Sequence, residues 1–298
     1  MKRLLLTTYS LTVFLFKTNA QSCADSLMLT HVRWVSTDFG NGLTWKSYHF
    51  NQQELFASNQ HVSILQTKLN DRNVTFALGS ADYDIPKGDT LRRLKPTSTI
   101  AAENHALAAV NGGFFNIKRG GSVDFLKIND KIIDSTFHAP NKSISEHSMA
   151  AITINENDFR IVKGEPKLHW EKSLPQTSVL VTGPLLLYND EEQELKNNAF
   201  NNNRHPRTCA CVTNDGNLLL ITVDGRNAMA QGMSLRELTY LSRRLGCKDA
   251  INLDGGGSTT MYIEGQPSKG VVNYPCDTKQ FDHTGERSVS NILLILKK

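Results

Sequence analysis

Several signatures are missing from this 298-residue chain, and each absence removes a class of function. Beyond the first twenty residues no stretch is long and apolar enough to cross a bilayer; Ile292 to Leu296 is only a strand's worth. There is no basic block. The formal charge of +4 falls to +1 once the first twenty residues, with Lys2, Arg3, Lys17 and no acid, are set aside, so nothing points to nucleic acid. The one run of three glycines, Gly255-Gly256-Gly257, lacks the Gly-Lys-Ser/Thr ending of a P-loop. A strand is expected after it, not the helix that a dinucleotide-binding turn requires. Five cysteines, at 23, 209, 211, 247 and 276, fit no zinc spacing. Neither an internal repeat nor a low-complexity linker divides the chain. The hydrophobic content of 39% and charged content of 21% are those of a globular domain with a real core.

The first twenty residues read as an export leader. Lys2 and Arg3 form its basic start, Leu4 to Phe16 a diluted apolar stretch, and Thr18-Asn19-Ala20 a small-residue cleavage site before Gln21. A rival cut before Cys23 would leave an acylated cysteine as a membrane anchor, although Ala20-Gln21-Ser22 is a poor lipoprotein box. Either way, residues 21–298 form a single domain that is secreted or periplasmic, strand-rich to about residue 97. Export permits disulfides. Cys247 or Cys276 could take part in one, buried thiols being the alternative. Cys209 and Cys211 share one face of a strand and are ill placed to bond each other.

Alternating segments at 31–35, 61–65 and 74–78 predict strands. A short helix is expected around 99–105, with 106–110 either continuing it or forming a buried strand. Further strands are expected at 125–128, 131–133, 149–154, 179–181 and 289–296. The most informative segment runs from Leu218 to Leu253. A buried strand ends in Asp224-Gly225-Arg226, and Ser234 with Glu237 forms a capping box. Leu235, Leu238, Leu241 and Leu245 line one helix face, and Gly246 ends it before a second buried strand. Such a strand–helix–strand unit is parallel and right-handed. The expected fold class is therefore α+β, a large mixed β-sheet core with few helices and this one right-handed βαβ crossover.

Parallel strands present their carboxyl ends on one sheet edge, where ligands bind in open sheets. Asp224 and Asp254 stand at those ends, which predicts two carboxylates facing one crevice with Arg226 and the glycine run. Three consecutive glycines imply a left-handed turn or a close approach of backbone to its neighbours. Asn111-Gly112-Gly113-Phe114-Phe115 reads either as a turn with inward aromatics or as an amide beside an aromatic wall suited to a sugar. Arg204-His205-Pro206-Arg207 is either a solvated basic loop or an anion clamp. Asp282-His283-Thr284-Gly285-Glu286-Arg287 could close the crevice or stay solvated. Carboxylates with arginines and no nucleotide signature suit a carbohydrate that carries an anion. No cofactor is expected; a structural divalent cation such as Ca, held by Asp224, Asp254 or Asn252, is the alternative.

Taken in order, NGGFF from Asn111, TGP from Thr182, HPRT from His205, DGR from Asp224, GMSLRELTYLSRRLG from Gly232 and NLDGGGSTTM from Asn252 resemble the phosphodiester glycosidase family. The resemblance implies an exported α+β domain that hydrolyses a glycosyl-1-phosphodiester at the sugar carbon, with N-acetylglucosamine as the suggested sugar. Its partner would be a phosphorylated glycan or sugar-phosphate diester. Carried over by position, the site would draw on Asn111, Gly112, Gly113, Arg207, Thr208, Asp224, Arg226, Asp254, Gly255, Gly256, Ser258 and Thr259. By chemistry, Asp254 is the nucleophile or base and Asp224 its partner carboxylate. Arg207 and Arg226 would hold phosphate, with His205, His283, Glu286 and Arg287 as further candidates. A phosphoglycan binder without catalysis and a phosphodiesterase cutting the P–O bond are the competing readings.

Overall fold

A computed structural model describes residues 23–84, 92–136, 143–156 and 158–298. The expected leader and its cleavage site lie outside the described residues. The largest sheet has the strand order β1 (Val35–Asp38), β2 (Thr44–Leu55), β3 (Ser58–Lys68), β15 (Asn217–Val223), β14 (Arg207–Thr213), β16 (Cys247–Asn252), β12 (Leu185–Tyr188) and β13 (Glu191–Glu192). A second sheet runs β10 (Asp158–Lys163), β9 (Ala150–Asn155), β11 (Ser178–Val181), β7 (Leu126–Ile128) and β8 (Lys131–Asp134). A third holds β17 (Met261–Ile263), β6 (Ala106–Asn111), β19 (Asn291–Lys297) and β4 (Val74–Ser80), and β18 (Ser288–Val289) pairs with β5 (Lys95–Pro96). The helices are few: α1 (23–31), α2 (Thr97–Glu103), α3 (Ala199–Asn202) and α4 (Leu235–Arg244). The α+β expectation holds, with 41% of residues in strands.

Strand alternation sorts the side chains into layers. On β14, Ala210 and Val212 face a central core shared with Leu78 of β4, Val110 of β6, Ile152 of β9 and Leu293 of β19, so three sheets close over one apolar interior. Cys209 and Cys211 face the other way, under Leu235, Leu238 and Leu241 of α4. Cys211 is bonded there to Cys247 of β16, with their Cα atoms 5.8 Å apart. Cys209 stays a buried thiol whose pKa burial pushes up to about 12, and Cys276 is also free. Helix α2 covers the outer side of the third sheet through Ile100 and Ala101.

The crossover is built as its local signals require. Ser234 Oγ accepts from Glu237 N, the Glu237 carboxylate accepts from Ser234 N, and Gly246 at φ +82° follows the helix. Strands β15 and β16 are each antiparallel to β14, and so run parallel to each other. They are not neighbours: β14 lies between them, and every ladder of this sheet is antiparallel, so the sheet is antiparallel and not the expected mixed one. The start of β14 therefore joins the ends of β15 and β16 on one edge, bringing residues 206–208 between Asp224 and Asp254.

Two local expectations resolve or shift. Residues 106–110 take the strand alternative, inside β6. The segment 31–35 is not a strand, since α1 runs to residue 31 and β1 begins at Val35. Packing overrides the alternation there: Met28 and Leu29 lie against the α4 side of the large sheet, and Asp25 Oδ1 accepts from Phe56 N at 2.7 Å.

Candidate active site

Asp254 follows β16 and is tied to the third sheet by both ends of its own peptide group. Its N–H donates to Gly112 O at 2.9 Å, and its carbonyl accepts from Asn111 Nδ2 at 2.6 Å. Asn111 Oδ1 in turn accepts from Thr208 Oγ1 at 2.7 Å and from Thr260 N at 3.2 Å. The amide thus bolts the ends of three strands together beneath Asp254. The glycines beside it serve close approach. A Cβ on Gly112 would lie 2.2 Å from Asn291 Oδ1, and one on Gly255 would lie 2.6 Å from the Pro206 carbonyl oxygen. The N–H groups of Gly112 and Gly113 are already given to Asn291.

The carboxyl of Asp254 accepts from Gly255 N at 2.9 Å. It remains partly open to a cleft, yet the surrounding protein strips away much of its hydration. That burial drives its pKa up to about 6, against the opposing pull of Ser258, Gly255 N–H, Arg287 and Arg226. Gly256, at φ +63°, sits under the Arg226 guanidinium. Arg226 is itself held at φ +61°, a conformation that costs an ordinary residue about 1 kcal/mol or more, and that strain marks a position set by something other than local preference. Its only hydrogen-bond contact among the described residues is a long one, 3.9 Å from Nη1 to Cys276 Sγ. Arg287 stands on the far side of Gly257, gripping Asp277 through Nε at 2.8 Å and Nη2 at 2.7 Å. A carboxylate of raised pKa thus sits beside one uncommitted guanidinium and one ion-paired guanidinium.

Other expected members are placed differently. Arg207, a candidate phosphate ligand, is buried, 1% exposed, and stacked on the Phe200 ring at 4.9 Å. Its Nε donates to Met233 O at 2.9 Å and its Nη2 to Phe200 O and Asn203 O at 2.6 and 3.0 Å. Arg204 pairs with Glu237, which takes it out of the anion clamp that was one of the two readings of this segment. His205 lies near both Arg207 and Arg226, and burial followed by those two charges lowers its pKa, which keeps it neutral. Glu286 is a helix cap: Oε2 accepts from Ser98 N at 3.1 Å and Oε1 from the Ser98 hydroxyl, at the start of α2. His283 Nδ1 meets Asn273 O at 2.7 Å.

Asp224 shares the sheet edge with Asp254, but its carboxylate is enclosed and its acceptors are spoken for. Oδ1 takes Asn273 Nδ2 at 2.8 Å and Tyr274 N at 3.0 Å, and Oδ2 meets His61 Nδ1 at 2.7 Å. Asn273 also donates to Thr259 O at 3.1 Å, so Asp224 braces the loop that carries Ser258 and Thr259. Both of those side chains are buried. The two aspartates therefore do not face one crevice as a pair. Among the described residues, no three His, Cys, Asp or Glu side chains converge as a metal-binding set.

Asp254 opens into a cleft of about 1040 Å³. Phe114, Phe115 and Phe200 form its apolar wall, with Phe114 and Phe200 in edge contact at 5.9 Å. The polar lining of the same cleft includes Glu146 and His147, which sequence reasoning missed. His147 Nδ1 is 2.7 Å from Oδ2 of Asp124, a carboxylate with no exposed surface. Asp124 Oδ1 accepts from Ser148 Oγ at 2.6 Å. Asp124 and His147 are 23 positions apart, so no local motif announces them.

The chain can now be set beside known proteins. A family model described as phosphodiester glycosidase matches residues 104–296, well over half of the chain. N-acetylglucosamine-1-phosphodiester alpha-N-acetylglucosaminidase of Bos taurus is 25% identical over 204 residues, covering 64% of this chain and 37% of that protein. The Mus musculus protein of the same name is 35% identical over 89 residues, 30% of this chain and 16% of that one. The SPbeta prophage-derived protein YomE of Bacillus subtilis is 40% identical over 65 residues, 22% of this chain and 10% of its own. The chain thus spans well under half the length of these relatives. Among solved structures, a hypothetical protein from Synechocystis superposes with a TM-score of 0.64 at 14% identity, covering 90% of this chain and 64% of the other. The zebrafish N-acetylglucosamine-1-phosphodiester alpha-N-acetylglucosaminidase catalytic domain, auto-inhibited by its pro-peptide, gives 0.63 at 20% identity, covering 89% and 87%. At these identities the superpositions establish the shared fold.

Proposed function

Since the chain belongs to the phosphodiester glycosidase family, we propose that it hydrolyses a glycosyl-1-phosphodiester at the sugar carbon, releasing free sugar and a phosphomonoester. The observation that carries this reading is Asp254: a carboxylate with pKa about 6, open to an aromatic-walled cleft and flanked by Arg226 and Arg287. At neutral pH it is mainly ionised and can act on the anomeric carbon, either as nucleophile or by stabilising the charge that develops there. The leaving group is a phosphomonoester, already a stable anion, so neutralising its charge matters more than protonating it. Arg226 has an uncommitted fork for that task, and Arg287 adds a second positive charge. Phe114, Phe115 and Phe200 offer apolar faces to a sugar ring.

The relatives' names make N-acetylglucosamine the first sugar to test. Export to an oxidising space is supported by the Cys211–Cys247 disulfide and by the leader-like first twenty residues. No helix among the described residues is long and apolar enough to cross a membrane. The test is a product assay on a panel of sugar-1-phosphodiesters, N-acetylglucosamine-1-phosphodiesters included. Free sugar with a phosphomonoester is expected. Sugar-1-phosphate would place the cut at the P–O bond and overturn the reading.

A further inference from the structure

Hydrolysis at a sugar carbon needs more than a carboxylate and an anion clamp, because a water molecule must lose a proton as it attacks. Asp224 does not meet a cleft water, since it is buried, 1% exposed, among Asn273, Tyr274 and His61. His205 stands beside Arg207 and Arg226, whose charges oppose the imidazolium that a base must become. Glu146 also lines the cleft, but it holds a loop, Oε1 accepting from Lys196 N at 3.1 Å and Oε2 from Asn201 Nδ2 at 3.1 Å, and among the described residues has no buried carboxylate behind it to stabilise a gained proton.

His61 is paired with Asp224 in a similar way but does not line the cleft, whereas His147 does. Its Nδ1 faces the Asp124 carboxylate at 2.7 Å, and an ionised Asp124 can only accept, so Nδ1 carries the hydrogen and Nε2 is left with its lone pair. The ring is part-exposed in the cleft wall that also contains Asp254, and it rests against Phe114 with centroids 5.2 Å apart. Asp124 is wholly buried and braced by Ser148 Oγ at 2.6 Å, so its position is set before substrate arrives. A buried carboxylate that fixes the tautomer of a histidine and stabilises its charged form is the arrangement that activates a hydroxyl in acyl transfer. Here the hydroxyl to be activated would be that of a water entering the cleft.

We propose that His147 is the general base of the reaction and Asp124 its positioning residue. The inference rests on the glycosidase reading given above. The water oxygen bonds to the anomeric carbon as that carbon's bond to its leaving oxygen breaks. The bonding pair departs with that oxygen, and the water proton passes to His147 Nε2, to be returned to solvent afterwards. If attack is direct, the leaving oxygen belongs to the phosphomonoester; if Asp254 has first formed a glycosyl ester, it belongs to that carboxylate. The same proton transfer is needed in both.

His147→Ala and His147→Gln test this with azide, an anion that attacks without losing a proton. General-base removal is expected to lower kcat by about 10²–10⁴-fold with KM little changed. Azide should then restore turnover in both variants and yield glycosyl azide. Asp124→Asn should lower kcat in the same direction without a matching rise in KM, and azide should relieve it too. An unchanged kcat in both His147 variants overturns the inference. So does a loss that appears as raised KM and ignores azide, which would make His147 a substrate contact. The wild-type product assay keeps the two readings apart: free sugar from the wild type with unimpaired His147 variants sinks only the base assignment.

Discussion

Asp254→Asn should stabilise this protein while removing its activity, and the stabilisation should depend on pH. The carboxyl has an unperturbed value of 3.8 and is raised to about 6 in the fold, chiefly by burial. Ionising it therefore costs the folded state more than the unfolded state. A shift of about two pH units corresponds to about 3 kcal/mol. The penalty is absent below pH 3.8, grows across the interval and is complete above pH 6, the opposite of a salt-bridged carboxylate. Asparagine keeps the size and can still accept from Gly255 N, but never ionises. Its new amide donor has the Ser258 hydroxyl nearby and otherwise costs about 1–3 kcal/mol if left unmet. The net gain expected at pH 8 is about 0–3 kcal/mol, or up to about 6 °C in Tm for a domain of this size.

The assay is urea and thermal unfolding of wild type and variant at pH 4.5 and pH 8, with turnover measured alongside. The stability gap should open as pH rises, while kcat/KM of the wild type should fall as pH drops below about 6. A gap that is constant across pH, or a variant less stable at pH 8, would refute the burial argument. A wild-type kcat/KM that stays flat from pH 7 to 4.5 would remove Asp254 from the chemistry.

Gly255→Ala drives a Cβ to within 2.6 Å of a backbone carbonyl that cannot swing aside. It should cost about 1–3 kcal/mol in unfolding experiments and, by displacing Asp254, lower kcat more than it raises KM. Arg226→Ala removes a guanidinium with one weak contact in the protein, so Tm should hold while kcat/KM falls by about 10²-fold or more. Arg207→Met strips three donated hydrogen bonds from backbone carbonyls and should destabilise by about 3 kcal/mol, with KM of the folded fraction unchanged. A selective rise in KM with Tm intact would return Arg207 to the phosphate site.

What the sequence made legible was local. The capping box of Ser234 and Glu237, the leucine stripe of α4 and Gly246 delimit a crossover within a few residues, and its parallel strands put Asp224 and Asp254 on one edge. What it hid was long-range. Nothing near Asp224 shows that Asn273 and His61, 49 and 163 positions away, will fill its acceptors. Nothing near His147 shows that Asp124 will orient it, because that pairing is made by the sheet that holds β7 and β9.

One division was readable from the sequence itself. Arg207 and Thr208 are consecutive on a strand, so their side chains must leave by opposite faces. Thr208 shares its face with Ala210, toward the central core, where its hydroxyl reaches Asn111 and through it the Asp254 loop. Arg207 shares its face with Cys209 and Cys211 and is sent to the α4 side, where carbonyls of residues 200, 203 and 233 take up its donors. A match of motifs carries the dipeptide across whole. The two-residue repeat of a strand divides it, whereas Arg226 lies on a turn where no such alternation applies.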